Sequence, residues 1–274
     1  VVYASINGFG STEEGASIPG YDLMVQAMSG LMSLTGDPDG PAYRAGISVF
    51  DVMAGLHATI GILGALRHRE VSGEGQHLEV SLLSSALSGL VNHTSAFVSG
   101  GTVPFRMGNA HPSLFPYEPL PTQDGELIII AGNDGQFRRL CDVLGLPDLP
   151  SDPRFAHNQD RTANRDALRP LLVEKLAERT SEEWFDALLA AGVASAPIQT
   201  IDRGVAFAER VGLGPVVHVG DEALPMVRHP ITFSATPARY DLAPPELDEQ
   251  GESVRAWLST PAQHTGDDAR QGAA

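Results

Sequence analysis

The stretch that decides the fold is Ala45-Gly-Ile-Ser-Val-Phe-Asp51-Val-Met-Ala-Gly-Leu-His-Ala-Thr-Ile-Gly-Ile-Leu-Gly-Ala-Leu-Arg67. A short apolar run ends at Asp51. Apolar residues then recur mostly three or four positions apart, which predicts a helix: Val52, Leu56, Ile60, Leu63 and Leu66. Asp51 would lie at its N-terminus, where backbone N–H groups and the helix dipole favour a carboxylate or a bound anion. Taken alone, an Asp there indicates only an N-cap.

Glycines inside this helix point to a close neighbour. Each is unfavourable by about 1 kcal/mol relative to Ala. There are three: Gly55, Gly61 and Gly64. We therefore expect another element to pack close to this helix.

Composition limits the class of protein. The 274 residues, with 42% hydrophobic and 19% charged residues, are typical of a globular protein with one large or two ordinary domains. A net charge of −16 argues against nucleic acid or anionic lipid as a partner. No apolar run reaches the roughly 18–20 residues that span a bilayer. The single cysteine excludes an internal disulfide, and with no targeting segment at the start we expect a cytoplasmic protein.

Strands and helices are predicted to alternate through the first hundred residues. Residues 1–6 read as a strand that ends in the turn Asn7–Gly10. A loop at 11–19 precedes a helix over Tyr21–Leu34, and turn-forming residues at 35–41 lead to the Asp51 helix. Beyond it we predict a strand at 77–80 and a helix over 81–98.

The remaining chain reads as a smaller α+β unit followed by a tail. Four prolines mark residues 102–122 as a linker or functional loop. The elements predicted next are a strand at 126–131, helices at 136–144, 163–179 and 181–191, and a strand at 196–201. After residue 202 we expect a short helix, a strand at 216–219 and a proline-rich tail whose last ten residues are frayed.

Several common active-site motifs are missing from the sequence. It has no phosphate-binding loop, no Gly-x-Ser-x-Gly elbow and no His-Glu-x-x-His zinc motif. None of the nine histidines pairs with another four residues away, so we predict no metal site. His57, on the Asp51 helix, is best interpreted as a packed or rim histidine, not as a ligand or base.

An ordered series of motifs resembles the class III (CaiB/BaiF) coenzyme A transferase family. Within that family, the motifs resemble the succinate and hydroxymethylglutarate branch more than they resemble formyl-CoA transferase. The series comprises Gly20–Gly36, Asp51 with Gly55, Arg69–Gln76, Ser81–Leu83, Arg106–Pro112, Pro116–Tyr117, Thr122–Gly125, Gly132–Asp134, Gln136–Phe137, Asp152–Phe155, Asn158, Arg161, Asn164–Arg165, Glu183–Trp184 and His229–Pro230.

The resemblance implies an α/β fold in which part of a Rossmann-like large domain carries a smaller α+β domain. It implies residues 1–105 in the large CoA-binding domain, 106–122 as linker and active-site loop, 123–202 as the small domain, and 203–274 as linker and return to the large domain with a flexible tail. The family has a further N-terminal Rossmann-like segment, so we expect this chain to be the C-terminal part of a longer enzyme.

The resemblance also implies an activity and a site. Asp51 corresponds to the family's nucleophile, which takes up coenzyme A from an acyl-CoA as an aspartyl-CoA thioester and passes it to a carboxylic acid. A helix N-terminus suits this chemistry because the carboxylate must be ionised and the oxyanions need donors. Further residues are implied to bind CoA or substrate: Gly20, Tyr21, Arg106, Gly108, Asn109 and His111. Arg106 and His111, with Arg44, are candidates to pair a second carboxylate.

We expect acyl-CoA and a dicarboxylic or hydroxy acid as substrates, and no permanently bound cofactor. The family forms interlocked dimers, so we expect such a homodimer or association with an N-terminal part. The sequence departs from the family pattern at two places. The glycine-rich lid of formyl-CoA transferase is replaced by His111-Pro-Ser113, and the family's closing Gly-x-His-Thr signature by Asp248–Glu252.

Two alternatives remain open. Acyl-CoA racemases share the fold but place a His at the position of Tyr21 as an acid–base partner of the Asp. A phenol with an ordinary pKa near 10 transfers protons poorly at neutral pH, which favours transfer over racemisation. The other alternative is a chain that binds CoA without turning it over.

Overall fold

The computed structural model describes residues 1–111, 113–220 and 224–259. The chain divides into two compact units, residues 1–198 and residues 199–274. Helices and strands are mixed throughout, which confirms the predicted α/β class. The finer division, with boundaries near residues 105 and 122, falls inside the first unit and stays a prediction.

The first unit begins with two parallel strands and a helical crossover. β1 (Tyr3–Asn7) pairs with β2 (His77–Ser81). Four helices lie between them in sequence: α1 (Glu13–Ala16), α2 (Asp22–Met28), α3 (Leu31–Leu34) and α4 (Val49–Ser72). Parallel strands need such a crossover because the chain must return to the same end of the sheet. In α/β folds, ligands bind beyond the carboxyl ends of the strands.

Two further helices complete this part of the unit. α5 (Leu82–Gly89) follows β2 directly, and α6 (Asn92–Gly100) follows α5. A small core joins α2, α4 and α5, formed by Val25, Phe50, Ala54, Leu82 and Ala86. This core holds the first turns of α4 against α2.

A second, larger core lies under a three-stranded antiparallel sheet. Its order is β3 (Tyr117–Pro121), β4 (Glu126–Ile130), β5 (Ala194–Pro197). The helices of this part are α7 (Asp134–Leu144), α8 (Asn158–Ala163), α9 (Arg165–Leu176) and α10 (Ser181–Ala190), with a 3-10 turn at Leu149–Ser151. Leu127 and Ile129 from the sheet meet Phe137 and Trp184 from the helices, all fully or almost fully buried.

The second unit is built from short elements. α11 (Ile201–Arg210) precedes a hairpin in which β6 (Val216–Val219) pairs antiparallel with β7 (Leu224–Val227). The hairpin is tied to the following segment by two backbone N–H groups, because Gly220 donates to the carbonyl oxygen of Tyr240 and His229 donates to its hydroxyl. α12 (Gly251–Ser259) follows, and the predicted fraying of residues 265–274 lies outside the described residues.

Two helices predicted as continuous are each divided in two, and a third has different ends. The helix predicted over 21–34 breaks at Gly30, which adopts a left-handed φ of 97°. The helix predicted over 81–98 breaks at Val91, where the hydroxyl of Thr94 donates to the carbonyl of Leu87. The helix predicted over 163–179 is α9, which begins two residues later at Arg165 and ends at Leu176. Asn164 separates it from α8, and the side-chain amide of Asn164 donates to the carbonyl of Asp160.

Two strands differ from their predictions, one because it contains prolines and the other because its bounds depend on pairing with a neighbouring strand. Tyr117–Pro121 was expected inside a linker because of its prolines, yet it forms β3, an edge strand, where a missing N–H is tolerated. The strand expected at 196–201 is β5, two residues earlier, because Ala194 to Pro197 pair with β4. α1, α8, β7 and α12 have no counterpart among the predicted elements.

Apart from Phe50, the buried residues of α4 are alanines, and several of its large apolar residues are exposed. Its buried residues are Phe50, Ala54, Ala58 and Ala65. The apolar stripe, by which we mean Val52, Leu56, Ile60 and Leu63, is more than half exposed at every position. Close packing at the helix glycines is confirmed only at Gly61, where an added Cβ would lie 3.3 Å from Leu78; nothing lies within 4 Å at Gly55 or Gly64.

Within the described residues α4 is also the one helix long and apolar enough to cross a membrane by length and composition. The core helix of a globular protein passes the same test, so this is weak evidence. One face of α4 packs on α2 and α5.

Candidate active site

Asp51 lies in the first turn of α4. The N-cap is Ser48, three residues earlier, and its side chain makes no capping hydrogen bond. The expectation that Asp51 is the N-cap is therefore wrong, because the helix begins at Val49. The Asp51 side chain is exposed, and among the described residues its carboxylate accepts no hydrogen bond. It is thus open to a reaction partner.

The backbone N–H groups at the start of α4 all have acceptors within the chain. Phe50 and Asp51 donate to the same carboxylate oxygen of Asp22, over 2.7 and 3.2 Å. Val49 donates to the carbonyl of Ile47, and Val52 to that of Ser48. The donors expected from the sequence to hold a bound oxyanion are therefore occupied by this chain.

Asp22 and Gln26 form a buried pair on α2, one helical turn apart. They are 8% and 1% exposed. The amide nitrogen of Gln26 donates to the second carboxylate oxygen of Asp22 and, over 3.2 Å, to the carbonyl of Ile47. The amide oxygen of Gln26 accepts from the backbone N–H of Ala45 over 2.8 Å. This pair therefore connects α2 to the whole segment that leads into Asp51.

Sequence analysis missed both members of this pair. The helical spacing of Leu23, Ala27 and Leu31 favours these residues as the apolar face, but Leu23 is 54% exposed and the buried positions of α2 are Asp22, Val25 and Gln26. The available signal was two polar residues spaced four apart on a helix, which places them side by side.

Gly20 and Tyr21 precede α2. Gly20 lies against Gly8, just beyond β1: a Cβ on Gly20 would be 3.0 Å from the Cα and N of Gly8. Gly20 thus allows two backbones to meet. Tyr21 occupies the N-cap position of α2 without a side-chain capping bond, and its ring is 67% exposed. It stands one residue before Asp22.

Arg106, Gly108 and Asn109 lie against the 35–43 loop. The guanidinium of Arg106 donates to the carbonyls of Asp37 and Gly40, each over 3.1 Å. The N–H of Gly108 donates to the carbonyl of Gly36. A cavity of about 430 Å³ opens here, lined by Leu34, Thr35, Gly36, Asp37, Tyr43, Gly108 and Asn109. Two of the guanidinium's nitrogens therefore brace the loop.

His111 lies on the side of the α9 helix and β3. Its carbonyl accepts from the guanidinium of Arg165, and its ring packs at 4.9 Å from the Tyr117 ring. Its Nδ1 accepts from the N–H of Ser113. No hydrogen bond among the described residues joins this group, or the Arg106 group, to Asp51. Arg44 is exposed and donates to the carbonyl of Ala45.

Other candidate chemistries find little support in the described part of the chain. Burial raises the pKa of Cys141 to about 12, so its thiol stays protonated and is a poor nucleophile. No group of three potential metal ligands occurs among the residues that the structure describes. His57 is half-buried, and its Nδ1 lies 3.0 Å from the hydroxyl of the buried Ser85.

Comparisons with known proteins agree with this architecture. The family model described as CoA-transferase family III matches residues 1–251. A succinate–glutarate CoA-transferase of Agrobacterium fabrum is 40% identical, over 95% of this chain and 66% of that protein. An acetyl-CoA:oxalate CoA-transferase of Acetobacter aceti is 36% identical, over 95% of this chain and 67% of that protein.

A solved structure is similar over the same region. The crystal structure of a CAIB/BAIF family protein from Brucella suis superposes with a TM-score of 0.85 and 38% identity, over 94% of this chain and 68% of that one. The chain thus spans about two thirds of the length of the relatives it matches. Because the family model covers most of the chain and the fold agrees, this chain belongs to CoA-transferase family III.

Proposed function

We propose that the protein transfers coenzyme A from an acyl-CoA to a carboxylic acid, with Asp51 as the nucleophile. The observation that carries the proposal is the Asp51 carboxylate, which is exposed and has no hydrogen-bond partner among the described residues of a family III chain. A carboxylate held in place by its backbone and open at its oxygens is suited to nucleophilic attack.

The reaction has four balanced steps. An Asp51 oxygen attacks the thioester carbon and the C–S bond breaks. CoA thiolate departs, and the acyl group is left on Asp51 as an acyl–aspartyl anhydride. The thiolate attacks the aspartyl carbonyl, which releases the donor acid and forms an aspartyl-CoA thioester. The acceptor carboxylate attacks that thioester and expels CoA thiolate. The thiolate finally attacks the acceptor's acyl carbon, which yields the new acyl-CoA and restores Asp51.

The oxyanions of these steps need donors from outside the start of α4. The N–H groups there are already bonded to Asp22, Ile47 and Ser48. We therefore place the oxyanion donors on groups brought to Asp51 by substrate binding or by another segment. Gly20, Tyr21, Arg106, Gly108, Asn109 and His111 remain the proposed residues for CoA and substrate.

Short dicarboxylic acids are the proposed acceptors and donors. Relatives over most of this chain are named for succinate and glutarate, oxalate and mesaconate. We further propose that the protein works in the cytoplasm, without a permanently bound cofactor, as a dimer or together with a further N-terminal segment. Racemisation is disfavoured by Tyr21, because a phenol exchanges protons poorly at neutral pH.

The test is a transfer assay on the full-length protein. Succinyl-CoA is incubated with glutarate, oxalate or mesaconate, and the CoA esters are separated by chromatography. A new dicarboxyl-CoA that forms with Asp51 intact and is lost in Asp51→Asn supports the proposal. Exchange of the acyl-CoA α-proton with deuterated water, without any new CoA ester, would instead indicate a racemase. The absence of both reactions would indicate a protein that binds CoA without turning it over.

A further inference from the structure

The buried pair on α2 has the geometry of a support for the nucleophile. The Asp22 carboxylate binds the N–H groups of Phe50 and Asp51, so it holds the backbone of the proposed nucleophile itself. Gln26 binds Asp22 through one end of its amide, and Ala45 through the other. The two residues therefore fix both the entry segment and the first turn of α4.

A buried carboxylate at this place needs an explanation. Asp22 is 8% exposed, and burial of a charge is unfavourable unless hydrogen bonds compensate it. Here three donors do so: two backbone N–H groups and the Gln26 amide. An apolar residue would pack at this position without that requirement, but it would leave two helix N–H groups without acceptors.

The bonds of Asp22 also affect the Asp51 carboxylate, because they occupy donors at the start of α4. Free N–H groups in the first turn of a helix attract nearby carboxylates. If the Asp51 carboxylate accepted such bonds, it would be stabilised as an anion and turned toward the helix, and it would be a weaker nucleophile. Asp22 occupies these donors. The Asp51 oxygens are thereby left open to the thioester.

We propose that Asp22 and Gln26 are positioning residues for the Asp51 nucleophile: Asp22 takes the N-terminal N–H groups of α4, and Gln26 fixes both Asp22 and the Ala45–Ile47 segment. This inference rests on the proposed function of Asp51. It goes further by assigning a role to two residues outside the reacting groups.

The pair can be tested by exchanging its acid and amide. Asp22→Asn puts an amide nitrogen where Gln26 already presents one, and Gln26→Glu puts two carboxylates together. Asp22→Asn combined with Gln26→Glu restores donor opposite acceptor at the same net charge. It leaves an acceptor for the N–H groups of Phe50, Asp51 and Ala45. It also places a carboxylate oxygen beside the Ile47 carbonyl, in place of the donor that Gln26 provides there.

The experiment measures transfer by the full-length protein in these three variants. We expect each single substitution to lower kcat by about 100-fold, because misplaced groups near the reaction lose that much. KM for the acyl-CoA should stay within about threefold, since the loss falls on the chemical step. The double variant should recover to within about tenfold of the wild-type kcat, because the pair is coupled.

Two controls separate the possible outcomes. Thr180→Ala removes the side-chain cap of the remote α10 helix and should leave kcat unchanged. Asp51→Asn should abolish transfer. If it does, but the single variants at Asp22 and Gln26 keep wild-type kcat, the positioning role is overturned and the proposed function stands. A double variant no better than the single ones, or an equal loss in Thr180→Ala, would overturn the role too. Transfer by Asp51→Asn would contradict the proposed function itself.

Discussion

Asp51 is held through its backbone, and its side chain is exposed without a partner among the described residues. We predict that Asp51→Ala abolishes CoA transfer by the full-length protein. The free energy of unfolding should change by less than about 1 kcal/mol, because exposed side chains outside caps contribute little. Transfer rates and urea unfolding of the same preparation check both parts. Asp51→Asn should be equally inactive, and wild-type turnover in either variant would contradict the role of nucleophile.

Gly20 illustrates a residue whose part in the fold is defined by its neighbour. Its Cα lies so close to Gly8 that a Cβ would meet backbone atoms at 3.0 Å, which cannot move aside like a side chain. We predict that Gly20→Ala destabilises the protein by about 1–3 kcal/mol, as overpacking does. Thermal or urea unfolding measures this. Gly125→Ala, where nothing lies within 4 Å, is the control, and equal effects in the two variants would contradict the explanation.

The sequence predicts a site residue when its partners lie nearby in the chain, and fails when they lie far along it. Asp51 is proposed from local periodicity and from the family resemblance. Asp22 is not, because its role depends on N–H groups 28 and 29 residues later in the chain. The Arg106 bonds to the 37–40 loop span more than 60 residues and are equally invisible locally.

At the scale of elements, the helices with strong local end signals were predicted best. α7 begins with a capping box between Asn133 and Gln136, and α10 with one between Thr180 and Glu183, and both lie close to their predicted positions. The two residues of a capping box lie only three positions apart, so the sequence alone is enough to recognise it. The breaks at Gly30 and Val91 interrupt continuous apolar patterns, so periodicity alone does not reveal them.

Arg161 connects the elements of the small sheet and its helices. It is fully buried, and its guanidinium donates to the carbonyls of Phe115, Phe155, Ala156 and Gly132 and pairs with Asp134. Arg161→Met would remove this donor from the four carbonyls and leave Asp134 with His157 as its partner. We predict a loss of about 3–5 kcal/mol in unfolding free energy, as for a broken buried charge pair. Urea denaturation checks it, with exposed Arg138→Met as control; similar stability of the two variants would contradict this account.

Asp134, at the start of α7, gives the fold an acid dependence. Hydrogen bonds from His157 and Arg161 hold the pKa of this carboxyl below its ordinary value. Its stabilising contribution is therefore complete above the ordinary Asp pKa of about 4, and it is lost as pH falls through the lower folded-state value.

We predict that Asp134→Asn weakens the loss of stability below about pH 4 that this linkage produces. Urea midpoints measured across that range check the prediction, and exposed Asp186→Asn on α10 serves as control. An unchanged acid dependence in Asp134→Asn would show that the carboxyl does not contribute.

At the scale of the whole molecule, the apolar stripe of α4 has no cover among the described residues, and the two-stranded sheet, which packs against α4 and α5, leaves several residues of its strands exposed. The stripe residues are 57–67% exposed, and a parallel sheet is ordinarily covered on both faces. Apolar surface of this kind marks an interaction site or favours association.

We predict that residues 1–274 alone self-associate as concentration rises, and that Ile60→Lys reduces this association more than Thr59→Lys on the exposed neighbouring position. Light scattering over a concentration series measures both effects. A monomer at every concentration would contradict the prediction.

The central claim, that Asp51 becomes covalently loaded, is tested most directly by trapping. The full-length protein is incubated with acyl-CoA, then with hydroxylamine, and its peptides are analysed by mass spectrometry. Hydroxylamine converts an activated aspartyl group to its hydroxamate. The peptide containing Asp51 should therefore gain about 15 mass units, because OH is replaced by NHOH. Deuterium uptake at the α-carbon of the acyl group, with no hydroxamate at Asp51, would contradict the claim.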